Sequence, residues 1–292
     1  MFFGTDLAME RREIAGDIEG LTHSEQTVGD ATVSTIEVTT PEAAKALGKP
    51  EGSYITVSVP SMRASRELFD GRVQAVADCL ARLLPQDGGV LVVGLGNLAI
   101  TSDAIGPKCA EKVFATSHID KQLAQELGFA QLRKVSVLAP GVAGKTGLEA
   151  SHVIRSICAD LHPAVIIAVD ALAARDLARV GTTIQMTDTG VAPGSGVGNA
   201  RKVLNRQNLG IPVIAVGIPT VIHILHAALG LFGDALTDEK VNAAKDEYRN
   251  TIVTVREADT MVERAAALTA MAINKALQPS LSQEELTELT LG

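Results

Sequence analysis

The alternation of apolar and polar positions changes character along the chain. Residues 1 to about 30 carry charges at short intervals without a sustained apolar period, which predicts an arm or surface-lying segment with short helical stretches at most. ATVSTIEV then alternates like a half-buried strand, PEAAKALG has the marks of a short helix, and SYITVSV reads as a second strand, so together they predict a small hairpin-like unit. A polar amphipathic helix is expected from about Arg63 to Leu84, ending at the turn cluster Pro85-Gln86-Asp87-Gly88-Gly89.

Beyond that cluster, short apolar runs alternate with helical stretches: VLVVGLG, KVSVLAPG, AVIIAVDAL, TTIQMTDTG and IPVIAVGIP. Continuous Val/Ile/Leu runs mark strands covered on both faces, so the chain is expected to be α/β, a three-layer αβα arrangement around a mostly parallel or mixed sheet. Two helices, roughly Asp238–Tyr248 and Arg256–Leu277, and a polar tail, SLSQEELTELTLG, close the chain. Neither an internal repeat nor a low-complexity linker interrupts it, which favours one domain.

Composition narrows the function classes. With 292 residues, 46% hydrophobic and 21% charged, the chain can bury a sizeable core. A net charge of −8, no tryptophan and 3% aromatic residues disfavour direct nucleic-acid binding, which needs cationic surface and stacking platforms. Cys79, Cys109 and Cys158 are odd in number and widely spaced, which fits buried or free thiols in a reducing compartment. Neither a signal-like N-terminus nor an apolar run of eighteen residues occurs, so no membrane association and a cytoplasmic location are expected.

Several motifs offer chemistry. Gly94-x-Gly96-x-x-Ala99 follows a strand in the manner of a dinucleotide fingerprint, but Gly106-Pro107 interrupts the helix such a site needs, and the next strand ends without a carboxylate. Asp103 and Asp170 each follow or end a predicted strand. Carboxyl ends of parallel strands form the ligand crevice of open α/β sheets, so the two acids could meet there and divide the roles of general acid and general base. A helix N-cap role for each Asp is the competing reading. The stretch MTDTGVAPGSGVGNARK holds four glycines and is either a substrate-contacting loop or an irregular crossover, with Asp188 as a turn former. His223 and His226, three apart beyond IPVIAVGIP, are candidates to join Asp103 and Asp170 in a metal site.

VVGLGNLAITSDAIGPK, APGVAGKTGLE, IIAVDALAARD, MTDTGVAPGSGVGN and LGIPVIAVGIPTV, in this order, resemble the germination proteases of spore-forming bacteria, as do TDLAMERREI and the last helix. That family is related in fold to the hydrogenase maturation proteases, whose GxGNxxxxD pattern is echoed from Gly94 to Asp103. The resemblance implies an aspartic-type endopeptidase acting on small acid-soluble spore proteins in the spore core, with Asp103 and Asp170 at the catalytic positions and no cofactor. It further implies a homotetramer made as a zymogen. Thr5-Asp6-Leu7-Ala8-Met9-Glu10 matches the family's cleavage motif, which makes residues 1–6 a propeptide cut between Asp6 and Leu7 and residues 7–292 the peptidase domain. Against its relatives the chain is short between IPTV and the final helix, and His223 stands where an acid is expected.

Overall fold

The computed structural model describes residues 5–60, 62, 71–126, 128–129, 131–194, 202–233, 239, 243–244, 247–248 and 251–291. The strands are β1 (Leu21–Val28), β2 (Ala31–Val38), β3 (Gly52–Ser58), β4 (Val90–Gly94), β5 (Val135–Leu138), β6 (Val165–Ala174), β7 (Thr183–Thr187), β8 (Val213–His223) and β9 (Ile252–Val253). The helices are α1 (Ala8–Ala15), α2 (Pro41–Leu47), α3 (Gly71–Ala81), α4 (Ile105–Ala110), α5 (Lys121–Glu126), α6 (Ala143–Thr146), α7 (Ala150–Leu161), α8 (Arg206–Leu209), α9 (Ile224–Phe232), α10 (Ala258–Leu277) and α11 (Gln283–Leu291).

Among the described residues, nine strands join one sheet in the order β1-β2-β3-β7-β8-β6-β4-β5, with β9 on β8. Strands β8, β6, β4 and β5 are parallel, while β1, β2, β3 and β7 join by antiparallel pairing, β7 against β8. The sheet is therefore mixed, and the run TTIQMTDTG belongs to its antiparallel half. A large core containing Val76, Leu80, Ile105, Met261 and Ala265 binds α3, α4 and α10 to one face. Ile154 and Cys158 of α7 pack with Leu91, Val93, Ile166 and Ala168 on the other, and Ala8, Ala43 and Leu47 cover Ile36, Val38 and Tyr54 beside them. The expected three layers are present. β6 and β8 are buried along nearly their whole length, which is why they read as unbroken apolar runs.

Two expectations need correction. The first thirty residues are not a surface arm: Leu7 and Ala8 are 0% exposed, α1 follows them, and Leu21–Val28 is a full edge strand paired with β2 along its length. β1 was hidden because LTHSEQTV is exposed at nearly every position and so offers no alternation, the polar habit of a protected sheet edge. β8 also runs beyond the expected IPVIAVGIP to His223. Pro219 is accommodated inside it because a register shift between Leu172 and Ala173 of β6 falls opposite, where the missing N–H is not needed. The expected helices near 63–70 and 238–248, and much of the glycine-rich loop, lie largely outside the described residues.

The ends of α2 are closed by local chemistry. The Thr40 hydroxyl caps it by accepting from the Ala43 N–H at 3.2 Å, Pro41 opens its first turn, and Gly48 closes it in the left-handed region at φ 66°. That reversal delivers Lys49 directly off the helix end.

Candidate active site

Backbone-to-backbone packing fixes the position of Asp103. A Cβ on Gly106 would lie 2.1 Å from the Leu95 carbonyl and 2.5 Å from that of Val169, and one on Gly94 would lie 2.2 Å from the Gly106 carbonyl. Only glycines let α4 lie this close to β4 and β6, and the loop between β4 and α4 is held at the strand ends as a result. The loop closes on itself: Asp103 Oδ2 accepts from the Asn97 N–H at 2.8 Å, and Thr220 Oγ1 donates to the Ser102 carbonyl at 2.6 Å. Asp103 ends a single 3-10 turn, Thr101–Asp103, and is not a helix N-cap. Its carboxylate takes the Asn97 N–H, inside the Gly94–Ala99 loop that a dinucleotide pyrophosphate would need.

Asp170 lies within β6, four residues before its end, with 5% of its surface exposed. It pairs with Gly217 of β8, which pairs with Gln185 of β7, which pairs with Thr56 of β3. Val169, Ile184 and Met186 enter the α3/α10 core, so the alternation turns Asp170 and Gln185 to the opposite face. Two strand spacings place their Cα atoms roughly 9–10 Å apart. Asp103 and Asp170 line one cleft of about 250 Å³, together with Gly141, Ser151, Pro193 and Gly194. The described part of the glycine-rich loop thus does border the acids. Asp188 does not; its Oδ1 accepts from the Ser53 N–H at 2.9 Å and ties β7 to β3.

The histidines part company with the acids. His223 ends β8 and accepts from the Leu225 N–H, His226 lies in the first turn of α9, and their ring centroids are 6.3 Å apart. Neither lines the cleft. Among the described residues no three His, Cys, Asp or Glu side chains cluster with metal-ligand geometry, so the mixed His/Asp set expected from spacing is not assembled. Desolvation lowers His226 to about 4, with His223 and Arg175 adding to the fall and a bond with the Ala174 backbone opposing it. The three cysteines are free and buried, and desolvation raises all three thiols, Cys109 to about 12, which leaves none as a thiolate nucleophile.

The chain's own N-terminal segment lies against the acid cleft. Asp6 borders the cleft beside Asp103 and Asp170. Its N–H donates to the Ala173 carbonyl and its carboxylate accepts from the Ala173 N–H, both at 2.9 Å. Gln185 brackets Leu7: Nε2 donates to the Asp6 carbonyl at 3.0 Å and Oε1 accepts from the Ala8 N–H at 2.6 Å. Lys49 Nζ donates to the same Asp6 carbonyl at 2.8 Å. The buried Glu10 carboxylate accepts from the N–H groups of Arg175 and Asp176, each at 2.8 Å, and from the Thr5 hydroxyl. Sequence patterning missed Lys49, Gln185 and Glu10; the one signal was Gln185, a lone amide between the apolar positions of β7.

The sequence profile described as Germination protease matches residues 4–228. The chain belongs to the germination protease family. A germination protease of Clostridium perfringens (strain ATCC 13124) is 37% identical over 319 residues, covering 97% of this chain and 98% of the relative. That of Caldanaerobacter subterraneus subsp. tengcongensis is 34% identical over 315 residues, 98% of this chain and 97% of the relative. Both alignments are longer than this chain, so these germination proteases carry residues that it lacks. The solved [NiFe] hydrogenase maturation protease HycI from Thermococcus kodakarensis KOD1 is matched over 67% of this chain and 98% of its own at 17% identity and a TM-score of 0.38, too distant to bear on the site. As a germination protease the chain is a peptide-bond hydrolase, and among its described residues no helix is long and apolar enough to cross a membrane.

Proposed function

We propose that this germination protease is an aspartic-type endopeptidase that opens the degradation of small acid-soluble spore proteins, with Asp103 and Asp170 as its acid pair. One observation carries the reading: the two carboxylates, one inside β6 and the other on the loop that follows the adjacent parallel strand β4, border one cleft with Asp6, the residue before the expected self-cleavage bond. Two carboxyl groups sharing a site favour a state in which one holds a proton. The ionised one takes a proton from water as its oxygen attacks the scissile carbonyl carbon, and the protonated one gives its proton to the leaving nitrogen as the C–N bond breaks.

In the zymogen the first substrate is the chain's own Asp6–Leu7 bond, and removal of residues 1–6 leaves a peptidase domain over 7–292. Thr5, Asp6, Leu7 and Ala8 are all at least nine-tenths buried, as a segment seated in a substrate groove would be. Helix α1 continues from Ala8, so the groove has to exchange this segment for an external chain before a spore protein is cut. A homotetramer acting in the spore core completes the reading. Its test is incubation of the full chain followed by intact mass: loss of residues 1–6 in the wild type, but in neither Asp103→Asn nor Asp170→Asn, supports it, and processing in either variant at the wild-type rate rejects it.

A further inference from the structure

Two donors converge on one backbone oxygen in a neighbouring cavity that shares Asp6 and Asp170 with the acid cleft, and neither belongs to the acid pair. The Asp6 carbonyl receives Lys49 Nζ at 2.8 Å and Gln185 Nε2 at 3.0 Å. It is the carbonyl of the Asp6–Leu7 bond. A buried segment needs its carbonyls satisfied, and one donor from the sheet would do that. A second donor carrying a positive charge, delivered by the Gly48 reversal, exceeds what anchoring requires.

We infer that Lys49 and Gln185 form a carbonyl clamp that stabilises negative charge on the scissile oxygen during peptide hydrolysis, Lys49 as the catalytic cation and Gln185 as the group that sets the register of the substrate backbone. The inference rests on the reading of Asp103 and Asp170 as the acid pair. When water adds, a C–O bond forms, the carbonyl π pair moves to oxygen, and the water proton passes to the ionised carboxylate. Attraction from the ammonium grows with that charge, so it favours the transition state over the resting carbonyl, whereas the neutral Gln185 amide holds both states. Collapse returns the pair to the C=O bond, breaks C–N and transfers the second carboxyl's proton to the Leu7 nitrogen. The products are an Asp6 carboxyl group and a Leu7 amine, one water having been consumed.

Gln185 contributes geometry that a single donor could not. Its amide contacts the carbonyl before Leu7 and the N–H after it, the pattern by which a strand recognises one residue of an extended chain. It reads backbone alone, so an external substrate of any sequence would meet the same bracket. Desolvation lowers the Lys49 ammonium from 10.5 to about 8, resisted by Asp6 and helped by Arg11, which leaves it largely charged at neutral pH.

The test follows self-processing of the full chain by intact mass at pH 7, with thermal unfolding as the control for folding. Lys49→Met is expected to slow opening of the Asp6–Leu7 bond by about 10²–10³-fold. Lys49→Arg, which keeps charge and donors, should recover at least about tenfold over Lys49→Met. Gln185→Glu keeps the acceptor for the Ala8 N–H and loses the donor to the carbonyl, and should slow the step about tenfold with little change in unfolding temperature. Wild-type processing in Lys49→Met alongside an inert Asp170→Asn overturns the clamp and leaves the acid pair standing. Equal slowing in Lys49→Met and Lys49→Arg, with equally lowered unfolding temperatures, reduces Lys49 to a structural anchor and also overturns it. Wild-type processing in Asp170→Asn removes the reading beneath it.

Discussion

Two cavities meet at Asp6 and Asp170, and their walls are built by opposite means. Asp103 and Asp170 stand on the parallel half of the sheet, where β4, β6 and β8 are buried on both faces and backbone packing through Gly94 and Gly106 leaves no freedom. Lys49 and Gln185 stand on the antiparallel half, one on a reversal after a short capped helix and the other on a five-residue strand. A rigid wall suits groups that exchange protons over short distances, and a wall made from a loop and an amide suits grip on a backbone whose side chains vary. The difference predicts that changes on the parallel side abolish chemistry or folding outright, while those on the antiparallel side grade it.

The largest expected effect is on the parallel wall. Asp103→Asn and Asp170→Asn should each cost about 10³-fold or more in the rate of self-processing, with the thermal midpoint moved by no more than a few degrees; a midpoint collapse would make these acids structural. Gly106→Ala comes next. Its Cβ would meet two backbone carbonyls at 2.1 and 2.5 Å, so neither neighbour can yield cheaply, and a loss of about 2–4 kcal/mol in denaturant unfolding is expected. The matching change on the other wall, Gly48→Ala, meets only the tip of the Arg11 side chain and should cost about 1 kcal/mol, mainly for its positive φ.

Glu10→Gln sharpens the comparison further. The Glu10 carboxylate is bound by the backbone N–H groups of Arg175 and Asp176, and neutralising it weakens two charge-assisted bonds. Self-processing should fall by about tenfold, with a change in how firmly the segment docks; an unchanged rate would show that docking does not limit the step. The smallest effect concerns acidity. His226 titrates near 4 when folded and near 6.5 when unfolded, so the unfolded chain binds the extra proton between those values. Stability is therefore retained above pH 6.5 and falls as the pH drops towards 4, by about 1–2 kcal/mol once screening by solvent is allowed for. His226→Phe should flatten that slope in acid unfolding curves.

The parallel wall was legible in the sequence because its physics leaves a linear trace. Unbroken apolar runs mark buried strands, and an acid at the end of such a run has one crevice to face. Asp103 and Asp170 could be paired across the chain on that ground, although their spacing alone could not exclude capping roles. The antiparallel wall left almost no trace. Lys49 looks like any lysine after a helix, and β1 is polar because an edge strand is protected by being polar. The burial of Thr5 to Ala8 depends on Gln185, Ala173 and Lys49, more than forty residues away in each case, which no local pattern reveals. The histidines show the converse error. Three-residue spacing predicts a shared helix face, but the strand runs to His223 and the helix begins after it, so His223 caps that helix and His226 meets Ala174 and Arg175 instead of the acids.

The most direct measurement of the central claim is digestion of a small acid-soluble spore protein by the chain begun at Leu7, compared with its Asp103→Asn and Asp170→Asn variants, with cut sites read by mass spectrometry. The account predicts discrete cuts between an acidic and an apolar residue by the first protein and none by either variant. Cuts of equal rate by either variant, or the absence of cuts by all three, would contradict it.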